Sequence, residues 1–457
     1  MRTWTNKSPG DLSIELPAVS AGNVEIAIDR ACRAFDPWRK TPLEQRGAAL
    51  KRAQALIARD QRELAQGIAT EIGKPLKESL GEVAAAIAKI DLAIADANRY
   101  LADDTAADNV HPNLVRRRAR GVAVVIGPFN FPIHLAHGAI TAYLLAGNTV
   151  IFKPSPLGAN VCAHYGRLMR EAMGDNIFQI VQGGAEQGQQ LVSHPAVRSV
   201  CFTGSVAAGR AIARATVDDL GKDVALELGG KNAAIVCADA DLDAAAAAVA
   251  EAMCLTAGQR CNSTSRVIVD RSIESDFLDR LRAKLRDYVP GDPLLESTRL
   301  GPVVSQSAKD RYLAVIGSPG DWLVPGSSPQ TVAGKHGHYV LPAVLRVSGD
   351  VLQSSVFAEE IFAPVLAVTA CASDQQMIDL TNGTPYGLTA SVFTADRERF
   401  LRLADELEVG NVYQNLPTTF SPSTLPFGSL KSSGNRHPGG RGFVRFASDE
   451  QVLQMKP

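Results

Sequence analysis

The stretch Gly-Val-Ala-Val-Val-Ile-Gly-Pro-Phe-Asn-Phe-Pro, residues 121–132, joins an unbroken apolar run to a turn rich in glycine and proline. Five apolar residues in a row after a glycine predict a short strand that is buried on both faces. The next segments alternate in pattern, with a helix over 133–145, a strand over 149–152 and a helix over 159–173. Strands separated by helices indicate βαβ units and a parallel sheet covered on both faces. The predicted class is α/β, with ligands at the carboxyl ends of the strands.

The same alternation continues along the chain. The further predicted elements are strands over 178–181, 200–202, 233–236 and 267–269 and helices over 207–217, 241–255 and 274–285. Residues 24–102 carry apolar stripes typical of helices, and Gly73-Lys74-Pro75 divides them into two helical parts. Residues 317–337 are rich in glycine, serine and proline, which indicates a surface excursion within the second α/β set.

The composition narrows the class of protein. A chain of 457 residues has room for two or three domains with substantial cores. The net charge is -1, so nothing favours nucleic acid or an anionic membrane as a partner, and the basic run at 116–120 reads as a solvated strand face. No apolar stretch is long enough to span a bilayer, and the N-terminus has no apolar signal core, so a cytoplasmic location is expected.

Cysteine usage argues against disulfides and metal. The chain has seven cysteines, an odd number, with no Cys-x-x-Cys pair and no Cys/His spacing typical of a zinc site, so we expect no metal. Cys201 and Cys237 lie within apolar runs and are expected to be buried. Cys261 differs because it follows Gly-Gln-Arg and precedes Asn-Ser-Thr-Ser.

Cys261 and Glu227 are the residues most suited to chemistry. A cysteine is a covalent nucleophile only as the thiolate, so it needs a base or a favourable local field. Glu227 lies in Leu-Glu-Leu-Gly-Gly-Lys-Asn, residues 226–232, where two glycines let backbone and substrate approach the carboxylate. The pair predicts a nucleophile and a general base; a structural cysteine and a loop carboxylate are the alternative reading.

Four motifs in order, Gly-Pro-Phe-Asn-Phe-Pro at 127–132, Phe-Thr-Gly-Ser at 202–205 and the segments around Glu227 and Cys261, resemble the aldehyde dehydrogenase superfamily. The resemblance runs from about residue 24 to 446. It implies a Rossmann-type parallel-sheet cofactor domain, an α/β catalytic domain and a small oligomerisation hairpin. The implied activity is oxidation of an aldehyde to a carboxylic acid through a cysteine thiohemiacetal and thioester, with NAD or NADP as cofactor.

The resemblance implies a role for each site residue. Cys261 would be the nucleophile, Glu227 the base for thioester hydrolysis, and the Asn130 amide with the Cys261 backbone N–H the oxyanion hole. Lys153 would contact the adenosine ribose, and Glu360 and Phe362 the nicotinamide ribose and ring. The full set of expected cofactor-binding residues is Ile126, Gly127, Pro128, Phe129, Lys153, Ser155, Gly184, Gly188, Thr203, Gly204, Ser205, Gly209, Leu228, Gly229, Glu360 and Phe362.

The cofactor site departs from the usual dinucleotide fingerprint and, at one position, from the pattern of relatives that prefer NAD. There is no Gly-x-Gly-x-x-Gly; Gly-Ser-Val-Ala-Ala-Gly at 204–209 instead opens a helix whose N–H groups can meet a pyrophosphate. Relatives that prefer NAD often carry a glutamate three residues after the lysine that corresponds to Lys153, and this chain has Pro156 there. Because proline does not repel a 2′-phosphate, we expect better tolerance of NADP than in glutamate-bearing relatives.

Within the superfamily the chain looks most like succinylglutamate semialdehyde dehydrogenases, through His134, Val-Gln-Gly-Gly at 181–184 and Ser-Gly-Asn-Arg at 433–436. A dicarboxylate substrate such as N-succinylglutamate 5-semialdehyde would want a guanidinium at the pocket, and Arg260 and Arg436 are the candidates. The alternatives are a different (semi)aldehyde, transfer of the acyl group to coenzyme A, or a non-catalytic relative.

The resemblance also implies a division of the chain. Residues 1–98 and 121–229 would form the cofactor-binding domain, 230–427 the catalytic domain, and 99–120 and 428–457 the oligomerisation segment. Residues 113–120 would form one strand of the hairpin that crosses to a partner subunit. A homodimer or homotetramer is therefore expected, with a small-molecule aldehyde as the other partner.

Overall fold

The structure is a computed structural model and describes residues 2–104, 113–174, 176–438 and 440–455. Two large sheets, each flanked by helices, form the α/β architecture that the sequence predicts. None of the described helices combines the length and apolar character needed to cross a bilayer.

The first sheet has six strands and is parallel except at one edge. In spatial order the strands are Gly434–Asn435, Asp223–Glu227, Val197–Thr203, Val122–Ile126, Thr149–Lys153 and Phe178–Ile180. The first of these is antiparallel to its neighbour. The helices that alternate with these strands along the chain are His134–Leu145, Ala159–Met173, Ala185–Ser193 and Val206–Thr216.

The strand Val122–Ile126 is buried on both faces, as its unbroken apolar run predicts. Val122 and Val124 belong to a core cluster on one side of the sheet, and Ala123 and Val125 to a second cluster on the other side. The alternation follows from the period of two in a strand.

The second sheet has seven strands. In spatial order they are Asp321–Val324, Ala343–Arg346, Val365–Cys371, Thr264–Asp270, Asn232–Val236, Thr389–Phe393 and Asn411–Gln414. Pairing is parallel except for the strand Asp321–Val324 at one edge. Its helices are Leu242–Cys254, Glu274–Leu285, Gln306–Ile316, Ser355–Ala358, Asp374–Asn382 and Arg397–Glu406. Single 3-10 turns occur at Pro156–Gly158, Leu255–Gly258, Arg271–Ile273, Val351–Gln353 and Phe443–Arg445.

Four helices occupy the N-terminal region where the sequence predicts two helical parts. They are Val24–Lys40, Leu43–Arg59, Gln61–Ile72 and Leu76–Tyr100. The break at Thr41 arises because a residue before proline is restricted to extended backbone, and Thr41 has ψ 131° ahead of Pro42. Gly73 ends the third helix in the left-handed conformation, φ 80°, as a C-terminal glycine commonly does.

The remaining strands form two-stranded pairs. They are Thr3–Trp4 with Val19–Ser20, Lys7–Ser8 with Asp11–Glu15, Tyr386–Gly387 with Leu430–Lys431, and Asn113–Ala119 with Ser448–Gln454. The last pair contains residues 116–119 of the basic run, Arg120 follows the strand, and Arg117 forms an ion pair with Glu450 across the pair. The strand expected at 113–120 is therefore present, whereas residues 105–112 lie outside the described part. The role of this strand in oligomerisation remains a prediction, and so do the domain boundaries given above.

The segment 317–337 differs from the predicted excursion in one respect. Asp321–Val324 within it is an edge strand, because its backbone pairs antiparallel with Ala343–Arg346 of the second sheet. The glycine- and serine-rich remainder has only an isolated bridge between Val332 and Lys335.

Candidate active site

Four neighbouring parallel strands of the first sheet end side by side, at Ile126, Lys153, Thr203 and Glu227. Their carboxyl ends border a cavity of about 510 Å³, which we call cavity A. The predicted site residues that line it are Ile126, Gly127, Pro128, Phe129, Asn130, Lys153, Ser155, Thr203, Gly204, Ser205, Leu228, Gly229, Cys261, Glu360 and Phe362. A cavity at this edge is where ligands bind in open α/β sheets.

Four predicted site residues do not line cavity A. Gly184 is exposed, and its N–H donates to Gln187 Oε1 at 3.0 Å at the start of a helix. Gly188 lies against the aliphatic part of the Lys153 side chain, and Gly209 packs against the Leu228 side chain. Glu227 is buried behind the wall, with 1% of its surface exposed.

Sequence reasoning missed ten residues of the cavity wall. They are Leu135, Leu157, Phe202, Ala208, Gln259, Val304, Ser305, Ser307, Ala308 and Arg311. Gln259 and Phe202 lie inside the motifs quoted above, so the sequence could have indicated them. The segment 304–311 carries no chemical motif and reaches the cavity only through the tertiary fold.

Cavity A has features that fit a dinucleotide. The helix Val206–Thr216 begins at the cavity, and Ser205 Oγ accepts from the Ala208 N–H at 3.3 Å, which leaves earlier N–H groups for an anion. Lys153 brings an amine whose pKa burial lowers to about 8. Glu360 Oε1 accepts from the Gly230 N–H at 2.9 Å, and burial raises the pKa of Glu360 to about 7.

Cys261 lines cavity A and also a second cavity of about 330 Å³, which we call cavity B. The other residues of cavity B are Glu78, Gly81, Glu82, Ala85, Phe131, His134, Leu135, Arg260, Asn262, Thr419, Ser421, Pro422, Ser423, Leu425, Phe427 and Gly440. Cys261 is partly exposed, whereas Cys201 and Cys237 are buried as predicted. The thiol therefore stands at the junction of two cavities.

Amide side chains fix the segment 255–263, which we call the Cys261 loop. Asn130 Nδ2 donates to the Gln259 carbonyl at 2.8 Å, and Asn232 Nδ2 donates to the Cys261 carbonyl at 2.8 Å. The Gln259 side chain donates to the Thr256 carbonyl at 3.0 Å and accepts from the Val304 N–H at 3.0 Å. One N–H of the Asn130 amide is thereby used, and the other remains for a ligand.

The Cys261 loop contains unfavourable backbone. Thr256 and Ala257 have φ 52° and 53°, and Gly258 follows with φ 70°. Left-handed backbone at non-glycine residues costs about 1–3 kcal/mol each and persists only where surrounding contacts enforce it. A Cβ at Gly258 would also collide with the Ala363 backbone, so this position requires glycine for space as well as for φ.

The thiol and the carboxyl influence one another. Burial raises the pKa of the Cys261 thiol well above its usual range, and the nearby Glu227 and Glu360 carboxyls raise it further. Arg260 and the Asn262 N–H act in the opposite direction. Burial likewise raises the pKa of Glu227 well above its usual range, against a smaller effect of the Ser429 hydroxyl. Neither Glu227 oxygen has a hydrogen bond of good geometry among the described residues.

The charged groups of cavity B are internally paired. Arg260 Nη2 lies 2.7 Å from Glu78 Oε2, and Lys74 Nζ lies 2.6 Å from Glu82 Oε2 with both side chains fully buried. His134 adds no charge, because burial and nearby positive groups lower its pKa to about 3. The wall of cavity B is therefore close to neutral.

One group of potential metal ligands, Asp60, Glu63 and His164, occurs among the described residues. His164 Nε2 lies 2.8 Å from Asp60 Oδ2 and its Nδ1 lies 3.6 Å from Glu63 Oε1. Asp60 also pairs with Arg59 at 2.7 Å. These pairings account for the cluster, and none of its members lines cavity A or cavity B.

The fold and the site together define an α/β protein with a thiol between two cavities. The chain matches the aldehyde dehydrogenase family over residues 3–452. It is 36% identical over 434 residues to betaine aldehyde dehydrogenase 1 of Rhizobium meliloti strain 1021, covering 93% of this chain and 88% of that protein. It is also 36% identical over 449 residues to N-succinylglutamate 5-semialdehyde dehydrogenase 1 of Caulobacter vibrioides, covering 95% and 91%.

A solved structure shares the whole architecture. The 1-pyrroline-5-carboxylate dehydrogenase from Thermus, with bound NAD, superposes with a TM-score of 0.94 at 30% identity and covers 100% of this chain and 90% of that chain. The chain belongs to the aldehyde dehydrogenase family and is an aldehyde-oxidising oxidoreductase.

Proposed function

We propose that the protein oxidises an aldehyde to a carboxylic acid with NAD or NADP, through a thioester on Cys261. The observation that carries the proposal is the Cys261 thiol at the junction of cavities A and B, with Asn130 on the wall of cavity A and its amide bound to the Gln259 carbonyl two residues before Cys261. Cavity A would hold the dinucleotide and cavity B the aldehyde. We also propose that the protein is cytoplasmic and forms a homo-oligomer.

Each residue has a defined task in this reaction. The Cys261 thiol gives up its proton to solvent and attacks the aldehyde carbon as the thiolate, and the free N–H of the Asn130 amide with the Cys261 backbone N–H stabilises the resulting oxyanion. The dinucleotide, when bound, accepts the hydride that leaves the carbon. Glu227 then removes a proton from water as the water attacks the thioester, the C–S bond breaks, and the thiolate leaves.

The raised pKa of Glu227 suits its step, because a base works best when its pKa lies near the working pH. Burial moves the pKa of Glu227 from the ordinary carboxyl range in that direction.

Two alternatives receive less support. Relatives that transfer the acyl group to coenzyme A typically lack the glutamate base, and this chain retains Glu227 beside the thiol. A non-catalytic relative would have no use for strained backbone next to a partly exposed thiol. Trapping of Cys261 by iodoacetamide, with protection by aldehyde, would separate an active from an inert site.

The substrate that we propose differs from the dicarboxylate semialdehyde that the sequence motifs favour. Arg260 is neutralised by Glu78, and Arg436 is exposed and lies over the Phe446 ring at 5.9 Å rather than in cavity B. The carboxylates of such a substrate therefore meet no free guanidinium among the described residues that line cavity B. We favour an uncharged aldehyde chain, since Phe131, Leu425 and the serine hydroxyls of cavity B offer apolar and neutral polar contacts.

The test is the initial rate of cofactor reduction with N-succinylglutamate 5-semialdehyde and with a medium-chain aliphatic aldehyde. We expect kcat/KM to be at least about 10-fold higher for the uncharged aldehyde, because an unpaired buried carboxylate is costly. A preference for the dicarboxylate would restore the assignment that the motifs suggest and would contradict the uncharged class. Absence of activity on every aldehyde would contradict the proposed function itself.

Cofactor choice gives a separate prediction at Pro156. Pro156 begins the 3-10 turn beside Ser155, and its carbonyl accepts from Asn6 Nδ2 at 2.7 Å, a contact that a different side chain at this position does not remove. We expect wild-type kcat/KM values for NAD and NADP within about 10-fold of each other. In Pro156→Glu a carboxylate near the 2′-phosphate should lower kcat/KM for NADP at least about 10-fold and spare NAD.

Pro156→Ala is the matched control, since it removes the ring without adding charge and should leave the ratio within about 3-fold of wild type. A strong NAD preference of the wild-type enzyme, or an unchanged ratio in Pro156→Glu, would contradict the prediction.

A further inference from the structure

Two carboxylates stand one turn apart on the helix Leu76–Tyr100. Glu78 and Glu82 are separated by four residues, so they project from the same helix face, and both line cavity B. Their hydrogen bonds lead away from this helix to two different loops. One is the Cys261 loop, and the other is the turn that carries Asn130.

Glu78 binds both ends of the strained turn before Cys261. Its carboxylate accepts from the Thr256 N–H at 3.1 Å and from the Thr256 hydroxyl at 2.8 Å. The same oxygen accepts from Arg260 Nη2 at 2.7 Å. Arg260 Nε in turn donates to Thr256 Oγ1 at 3.0 Å, which closes a ring of contacts around residues 256–260.

Glu82 performs the corresponding task for the Asn130 turn. Its Oε1 accepts from the backbone N–H groups of Ile133 and His134 at 3.0 and 3.2 Å, where the helix His134–Leu145 begins. Its Oε2 pairs with Lys74, whose ammonium lies 3.6 Å from the centre of the Phe131 ring. Arg260 contacts the same ring at 4.9 Å, so the two loops also meet through Phe131.

The backbone strain indicates why these contacts matter for chemistry. Thr256 is β-branched and Ala257 has a Cβ, and both hold left-handed backbone that such residues rarely adopt. Without Glu78 the Thr256 N–H and hydroxyl lose their acceptor, and Thr256 keeps the contacts from Arg260 Nε to its hydroxyl and from the Gln259 side chain to its carbonyl, so relaxation to a right-handed conformation is less opposed. That relaxation would move Gln259, whose carbonyl receives the Asn130 amide, and Cys261 two residues later.

We propose that Glu78 is a positioning residue for Cys261, holding the strained turn that sets the thiol against the Asn130 amide, with Glu82 as its counterpart for the Asn130 turn. The inference rests on the proposed function, since it assigns the nucleophile to Cys261. Glu78 itself does not touch the reacting atoms; it acts through Thr256 and Arg260.

The experiment measures the first turnover of the full-length enzyme with a medium-chain aliphatic aldehyde and saturating NAD in a stopped-flow instrument. In Glu78→Gln and Glu78→Ala we expect the burst rate constant to fall about 10- to 100-fold, with the larger fall in Glu78→Ala, because a misplacement of about 1 Å has effects of this size. The dissociation constant of NAD should stay within 2-fold. Lys77→Ala, an exposed neighbour on the same helix, is the matched control and should leave the burst unchanged.

A rescue distinguishes positioning from simple stabilisation. Glycine adopts left-handed backbone readily, so Thr256→Gly added to Glu78→Ala should regain at least about 3-fold in burst rate constant. A purely structural Glu78 predicts a lower melting temperature, an unchanged burst per folded molecule and no rescue, and that result would overturn the proposal. If wild-type enzyme forms no reduced cofactor in its first turnover, or if Cys261→Ala still forms it, the proposed function fails instead, so the two failures are distinct. Glu78→Gln preserves side-chain volume and keeps the test available if Glu78→Ala does not fold.

Discussion

Replacement of Cys261 by alanine is expected to abolish aldehyde oxidation while leaving dinucleotide binding intact. Cys261 is the cysteine that borders both cavities among the described residues, and Cys162, Cys201, Cys254 and Cys371 are buried elsewhere. Loss of a covalent nucleophile in well-studied hydrolases lowers turnover by about 10⁶-fold, so a fall of at least about 10⁴-fold in kcat is expected here.

The measurement is the steady-state rate of cofactor reduction, together with the dissociation constant of NAD for the same samples. Cys32→Ala is the matched control, because Cys32 is exposed on the helix Val24–Lys40 and lines neither cavity. It should retain the wild-type rate. A Cys261→Ala enzyme with more than a tenth of wild-type activity would exclude Cys261 as the nucleophile.

Glu227→Gln is expected to separate the two halves of the reaction. Oxidation of the bound aldehyde does not need the base for water, so one equivalent of reduced cofactor should still form in a rapid burst. Hydrolysis of the thioester does need it, and steady-state kcat should fall about 10²- to 10⁴-fold. Glutamine has nearly the volume of glutamate, and within the described part of the chain the buried carboxyl makes no hydrogen bond of good geometry that the amide would lose.

The dependence on pH follows from the raised pKa of Glu227. The base acts in its ionised form, so wild-type kcat should rise with pH through a value above the ordinary carboxyl pKa, and Glu227→Gln should lose that rise. Folding stability has the opposite dependence. The folded state holds the proton more tightly than the unfolded state, so this group's stabilising contribution is complete below the unfolded pKa and is lost as pH rises through the folded pKa.

Melting curves measured against pH therefore give an independent check. The Glu227→Gln enzyme should gain stability relative to wild type as pH rises from the ordinary carboxyl range, because glutamine avoids the buried charge. A variant that loses its burst together with its steady-state rate would contradict the assignment of Glu227 to hydrolysis. A melting difference independent of pH would contradict the raised pKa.

The fold could be predicted from the sequence where burial imposes a regular pattern of apolar residues. Runs such as Val122–Ile126 are apolar at every position because both faces of the sheet are covered. The helix predicted over 274–285 has those bounds in the structure, since apolar residues at helical spacing face a single core. The later strands of the second sheet, such as Thr389–Phe393, were not identified, because polar positions there are buried by partners distant in sequence.

Only part of the candidate site could be predicted from the sequence. Its motif residues meet at one sheet edge because the carboxyl ends of parallel strands necessarily do so. The position of Arg311 on the wall of cavity A could not be predicted from the sequence, since its helix follows no motif. Glu78 and Glu82 read in the sequence only as polar positions of a helix, and their loop contacts depend on tertiary packing. The neutralisation of Arg260 could not be predicted either, because its partner Glu78 lies 182 positions away in the chain.

The most direct test of the account is to acid-quench Glu227→Gln during turnover with a medium-chain aldehyde and NAD, and to identify acylated peptides by mass spectrometry. The account predicts that the peptide carrying Cys261 gains the mass of the acyl group in near-stoichiometric amount, and that the adduct is absent when NAD is omitted. An unmodified Cys261 peptide after a full burst of reduced cofactor, or an acyl group on a different residue, would contradict the thioester on Cys261.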